Sequence, residues 1–137
     1  MTQVQEPSST AIETILVVDD EVIARMVISE YLRDCGYKVI EAADTAEALT
    51  VLEHAGLHVD VVLCGVSQPD AAAGFALAQW VRTHQADTDS ILAGTHARAA
   101  TAAGKLCESG PKLANPYEPH IVHERIKQLM ALRSKPR

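Results

Sequence analysis

The sequence predicts an α/β fold: a five-stranded, doubly wound parallel sheet with helices on both faces. Three observations predict it. Short β-branched runs alternate with amphipathic stretches along the chain. The first and third runs are continuously apolar rather than alternating, as strands buried on both faces must be. Turn and stop residues (Gly36, Gly56, Ser67-Gln68-Pro69-Asp70) fall between the runs.

Each element has its own reason. Ile15-Leu16-Val17-Val18 is a buried strand that ends in Asp19-Asp20-Glu21. Ile28, Tyr31, Leu32 and Cys35 recur at i, i+3, i+4 and i+7, one stripe of a helix, and Gly36 supplies its stop. Tyr37 to Glu41 is short and β-prone. Asp44-Thr45-Ala46-Glu47 opens a helix with a capping box in which Asp replaces Ser or Thr. Its stripe is Ala48, Val51, Leu52 and Ala55. Val59 to Leu63 is the third strand. Phe75 to Arg82 is helical, with Leu77 and Val81 four apart. Ser90 to Ala93 is a strand, Ala97 to Cys107 an Ala-rich helix, and Gly110 to Ala114 a short fifth strand. Pro119 suits a first helical turn, and Val122, Ile126, Leu129 and Met130 stripe the helix that follows. In such open sheets the functional crevice lies at the carboxyl ends of the strands. That directs attention to Asp19-Asp20, Cys64-Gly65, Thr95 and Asn115.

At 137 residues the chain is long enough for one domain and too short for two ordinary ones. The expected organisation is a flexible arm over residues 1–12, a domain over 13–133 and a flexible tail over 134–137. Apolar residues make up 47% and charged residues 22%, a soluble globule's composition. No apolar run reaches the roughly 20 residues of a membrane span, and the N-terminus does not read as a secretory signal. Twelve basic residues against eighteen acidic ones leave a charge of -6, which argues against nucleic acid and anionic membranes as partners. Cys35, Cys64 and Cys107 are odd in number and far apart, so reduced cytosolic thiols packed as small hydrophobes are expected, not a disulfide or a zinc site.

The strand ends carry a family resemblance. Ile15-Leu16-Val17-Val18-Asp19-Asp20-Glu21 resembles the opening of bacterial response-regulator receiver domains. So do Gly36-Tyr37-Lys38-Val39, Ala43 with Glu47-Ala48-Leu49, Asp60-Val61-Val62-Leu63 followed by Pro69 and Gly74-Phe75, and Asn115-Pro116-Tyr117 in place of Lys-Pro-Phe. The resemblance spans about residues 14 to 133. It implies a flavodoxin-like sheet of strand order 2-1-3-4-5 and a role in two-component phosphorelay signalling.

The resemblance also implies a phosphoacceptor aspartate four residues before the loop proline. Counting back from Pro69 reaches Gly65, which has no side chain to phosphorylate. Asp60 stands at the wrong end of its strand and Asp70 beyond the proline. The family's pocket lysine corresponds to Asn115, its hydroxyl residue to Thr95, and its switch aromatic to Lys112. Phosphoryl transfer to a carboxylate needs a nucleophile, a metal and a cation opposite it. Without the nucleophile the lysine has no phosphoryl oxygen to meet. Asp19 and Asp20 are left as the metal residues, and with one ligand missing Mg²⁺ is expected to bind weakly at best; no cofactor is required.

Other residues have two readings each. Thr95 is a switch hydroxyl or a loop cap. His96 sits over the acidic pair or is a solvated loop side chain. His120 and His123 share a metal or form a surface pair, and Trp80 binds a ligand or covers the core edge. The alanines of residues 97 to 103 permit close approach of a partner or simply favour helix. The expectation is a stand-alone cytoplasmic pseudo-receiver, not an enzyme and not DNA-binding. It would be a monomer or weak homodimer that binds a histidine kinase or another two-component protein. The alternatives are a receiver phosphorylated on a non-aligned Asp, and a small flavodoxin-like enzyme or ligand-binding protein.

Overall fold

The computed structural model describes residues 13–54, 56–65, 71–110 and 116–134. Four parallel strands, β1 (Thr14–Val18), β2 (Lys38–Ala42), β3 (Val61–Cys64) and β4 (Asp89–Leu92), form one sheet in the order β2-β1-β3-β4. Among the described residues five helices accompany them: α1 (Val22–Asp34), α2 (Thr45–Glu53), α3 (Ala71–His84), α4 (His96–Glu108) and α5 (Pro119–Ser134). The doubly wound class and the order of the first four strands agree with expectation. The sheet of the described residues has four strands rather than five. The expected fifth strand falls, but for Gly110, outside them, as do Asn115, Lys112 and the 1–12 arm. The last helix runs through Ser134, one residue into the expected tail.

Local signals explain the elements. Ile28, Tyr31, Leu32 and Cys35 are all buried, and Gly36 takes the positive φ of 103° that turns the chain out of α1. The Asp44 carboxylate accepts the Glu47 amide at 2.8 Å while Glu47 reaches back to the Ala43 amide, so the Asp variant of the capping box works. Alternation along the strands divides the apolar side chains into two layers. Ile15, Val17, Val61 and Leu63 face α1, α4 and α5. Leu16, Val18, Val62 and Cys64 face α2 and α3.

The faces follow from connection handedness, except at one helix. β1 to β2 runs one way along the sheet, whereas β2 to β3 and β3 to β4 run the other way. Right-handed crossovers therefore put α1 on one face and α2 and α3 on the opposite one, as found. Among the described residues no strand follows β4, so handedness assigns α4 no face; it packs beside α1 and α5, with Ala99, Ala100, Ala103 and Cys107 buried there. Its Gly104 lies against the Pro119 ring, where a Cβ would not fit.

The expectation of three reduced thiols needs correction. Cys35 at the end of α1 and Cys107 in the last turn of α4 form a disulfide with Cα atoms 5.4 Å apart. The pair is separated by 72 residues. It is brought together only because α1 and α4 share a face. Cys64 is not part of the bond and is buried in the other layer.

Candidate functional site

The site forms at the carboxyl edge of β1 and β3. Parallel register pairs Val18 with Cys64, which makes Asp19 and Gly65 the next neighbours across the ladder. The Gly65 amide donates to the Val18 carbonyl at 2.7 Å, and the Asp19 amide to the Ala42 carbonyl at 3.1 Å, so both residues extend the sheet. A Cβ on Gly65 would stand 2.7 Å from Asp19 Oδ2. The Asp19 carboxylate therefore occupies the space that any side chain at residue 65 would need.

Asp19 is 2% exposed, and its Oδ1 accepts the Glu21 amide at 2.9 Å. Burial pushes its carboxyl up to about 6, the Glu21 amide opposes that shift, and the neighbouring acids Asp20 and Glu21 add to it. Asp20 beside it is exposed. Glu21 is the N-cap of α1, accepting from Ile23 N at 2.9 Å. The Arg133 guanidinium, at the end of α5, grips both its oxygens at 2.8 and 2.9 Å and holds that carboxylate below its usual range. Arg25 donates to the Asp19 carbonyl at 2.9 Å and pairs with Glu41. Sequence spacing gave no sign of the Arg133–Glu21 fork, whose partners are 112 residues apart.

The fit to a divalent cation is poor. One oxygen of Asp19 is engaged by an amide, and its burial favours the protonated form. Glu21 is committed to Arg133. Among the described residues, no group of three His, Cys, Asp or Glu side chains is placed to hold a metal. Among the described residues the arrangement is an acidic corner in which Asp19 and Glu21 are already hydrogen-bonded within the protein.

The remaining candidates resolve individually. Thr95 lies past the end of β4 and caps α4, its Oγ1 accepting the Arg98 amide at 3.1 Å. Thr95→Ala is expected to cost about 1 kcal/mol and Thr95→Ser almost nothing, read from chemical denaturation midpoints. His96 is half-buried at the start of α4. His120 is exposed and His123 half-buried on α5. Trp80 packs at the edge of the α2–α3 layer and stacks on His84 at 4.6 Å. Asp60 lies before β3, at the opposite edge of the sheet, where it accepts the Thr14 amide at 2.8 Å and lies 3.0 Å from His58 Nε2. It does not share the site with Asp19 and Gly65. Asp70, Lys112 and Asn115 fall outside the described residues.

Residues 15–111 match the family described as response regulator receiver domain. The probable transcriptional regulator ycf27 of Cyanophora paradoxa is 29% identical over 122 residues, 89% of this chain and 50% of that protein. The sensor kinase CckA of Brucella abortus is 38% identical over 71 residues, 52% of this chain and 8% of that one. The chain thus spans half or less of the length of these relatives. The chemotaxis protein CheY4 of Vibrio cholerae superposes with a TM-score of 0.55 at 26% identity, covering 86% of this chain and 98% of that one. A receiver domain protein from Clostridium thermocellum gives 0.56 at 20% identity over 88% and 99%, a likeness of fold.

Proposed function

The chain belongs to the response regulator receiver family of two-component signalling, and we propose that it is a pseudo-receiver that signals by protein binding without phosphorylation. The observation that carries the reading is the pairing of Gly65 with Asp19. Residue 65, where the family resemblance puts the acceptor, is a glycine with no side chain to phosphorylate, and the Asp19 carboxylate fills the space a side chain there would need. Phosphoryl transfer to a carboxylate also needs a metal and an opposing cation. The acidic corner fits Mg²⁺ poorly, and the position aligned with the family's pocket lysine holds the uncharged Asn115. Asp60 is at the far edge of the sheet, so it cannot substitute without moving the strand.

Receiver domains interact with histidine kinases and other signalling proteins, and such a protein is the proposed partner, bound without catalysis by this chain. The net charge of -6 disfavours nucleic acid. Among the described residues, no helix is long and apolar enough to cross a membrane.

The test is an intact-mass spectrum after incubation with Mg²⁺ and acetyl phosphate. The wild-type chain is expected to gain no phosphoryl group. Gly65→Asp with Asn115→Lys supplies acceptor and cation together, and is expected to gain one once Asp19 turns away from the new Cβ. A gain in the wild type, removed by Asp→Asn at one mapped position, overturns the proposal and identifies the acceptor.

A further inference from the structure

We propose that the Cys35–Cys107 disulfide is a reversible redox latch that holds α4 on the α1–α5 face of the sheet. The inference is independent of whether the acidic corner accepts phosphate. It begins from the side of the sheet on which α4 lies. Crossover handedness puts α2 and α3 on one face. α4 lies on the other, and two consequences are visible. Ser90 and Leu92, paired with Val62 and Cys64, point to the α2–α3 face, and both are exposed, Leu92 by 40%. A hollow of about 440 Å³ also separates β4 from α4, bordered by Ile91, Leu92, Arg98, Thr101, Lys105 and Leu106. α4 therefore leaves β4 incompletely covered.

Apart from the bond, α4 is held by small groups packed closely on α1 and α5, with Gly104 against the Pro119 ring and the partly buried Ala102 and Leu106 packed on the same core. Its buried stripe is Ala99, Ala100, Ala103 and Cys107, small side chains that bury little apolar area each. Tyr37 Oη donates to the Leu106 carbonyl at 2.5 Å, a second tie at the same end of the helix. The disulfide joins that last turn covalently to α1. The domain does not need the bond as a folding staple, because two apolar layers flank its sheet. Reduced, the two sulfurs are small hydrophobes that tolerate either burial or release.

The latch works by thiol–disulfide exchange with a small disulfide such as oxidised glutathione. One cysteine thiolate attacks a glutathione sulfur and expels one reduced glutathione. The other cysteine then attacks the mixed disulfide and expels the second. Two electrons pass to the glutathione sulfurs and the two cysteine protons are released or taken up by them. Reduction by a dithiol runs the same steps in reverse. Both cysteine side chains are fully buried in the latched state, so exchange proceeds through fraying of the last α4 turn. Once released, α4 is free to cross to the β4 surface on the α2–α3 face, covering Leu92.

Cys64 makes the experiment internally controlled, because it is 2% exposed in the layer away from the latch. The full chain is equilibrated with oxidised glutathione, or with dithiothreitol followed by its removal. Each form is then alkylated with and without denaturant and mass-mapped, with circular dichroism confirming that it is folded. The oxidised form is expected to show one alkylatable thiol in denaturant and the reduced form three, with full return on re-oxidation. In the folded reduced form, Cys35 and Cys107 are expected to react at least about tenfold faster than Cys64. Cys35→Ala/Cys107→Ala is expected to match the reduced form in the hydrogen exchange of β4, with residues 89–93 slowed relative to the oxidised chain.

Three thiols after oxidised glutathione overturn the proposal. So does equal, slow alkylation of all three in the folded reduced chain, which would leave α4 where it is without the bond. Equal, fast alkylation with loss of circular dichroism signal also overturns it, since the disulfide would then be a structural staple.

Discussion

Reducing the Cys35–Cys107 bond is expected to lower the free energy of unfolding by about 4 kcal/mol. The figure comes from the unfolded chain: cutting a link between residues 72 apart restores the conformational freedom of a long loop. The expected readouts are a fall in Tm of roughly 10 to 20 °C and a lower denaturant midpoint. The denaturant slope should rise, because an unlinked unfolded chain is more expanded. A loss of about 4 kcal/mol is tolerable for a domain whose ordinary stability is about 5 to 15 kcal/mol, so the reduced protein should remain folded at 25 °C. Cys64→Ala, in the other layer, should leave the difference between oxidised and reduced forms intact. Identical midpoints for the two forms would mean that the cross-link constrains nothing the unfolded chain would otherwise explore.

The second large effect belongs to Asp19. Its carboxyl titrates near 6 in the folded protein against about 3.8 when exposed, chiefly because it is buried. The raised value sets the sign. Between pH 4 and 6 the folded chain holds more protons than the unfolded one, so stability falls as pH rises through that window. Above pH 6 the ionised carboxylate costs the fold at most about 3 kcal/mol. Asp19→Asn removes the charge and retains an oxygen to accept the Glu21 amide. The variant is expected to be more stable than wild type by up to that amount at pH 7.5, to converge with it near pH 4, and to lose most of the slope between. Denaturant melts across pH decide it. A variant less stable at pH 7.5, or an unchanged slope, would mean that Asp19 is solvated or paired in solution.

That cost is informative about the site. A buried, underpaired acid is seldom kept for stability. Here its space exists because residue 65 is glycine, and Glu21, whose amide it accepts, is tied down by Arg133 from the far end of the chain. Gly65→Ala should displace the Asp19 carboxylate, since the new Cβ cannot coexist with Oδ2 at 2.7 Å.

Much of this molecule was legible residue by residue. The α1 stripe, the positive-φ Gly36, the Asp44 capping box, the Pro119 helix start and the buried strands β1 and β3 depend on neighbours three or four places away, or on strict alternation, and the chain states them directly. The placement of Asp19 and Gly65 just past the ends of β1 and β3 was legible because a strand end is a local event. Thr95 was legible only as one of two readings, since a hydroxyl at a helix start suits a cap and a switch equally.

What the tertiary structure alone decided is long-range. Cysteine spacing argued for separate reduced thiols, yet Cys35 and Cys107 meet because α1 and α4 lie on one face. The face of α4, the burial that moves Asp19 and the Arg133–Glu21 fork likewise depend on how distant elements cross and dock. Periodicity determines which side of a helix is apolar; it carries no information about which surface that side covers. The covering surface is selected by competition among whole packed arrangements.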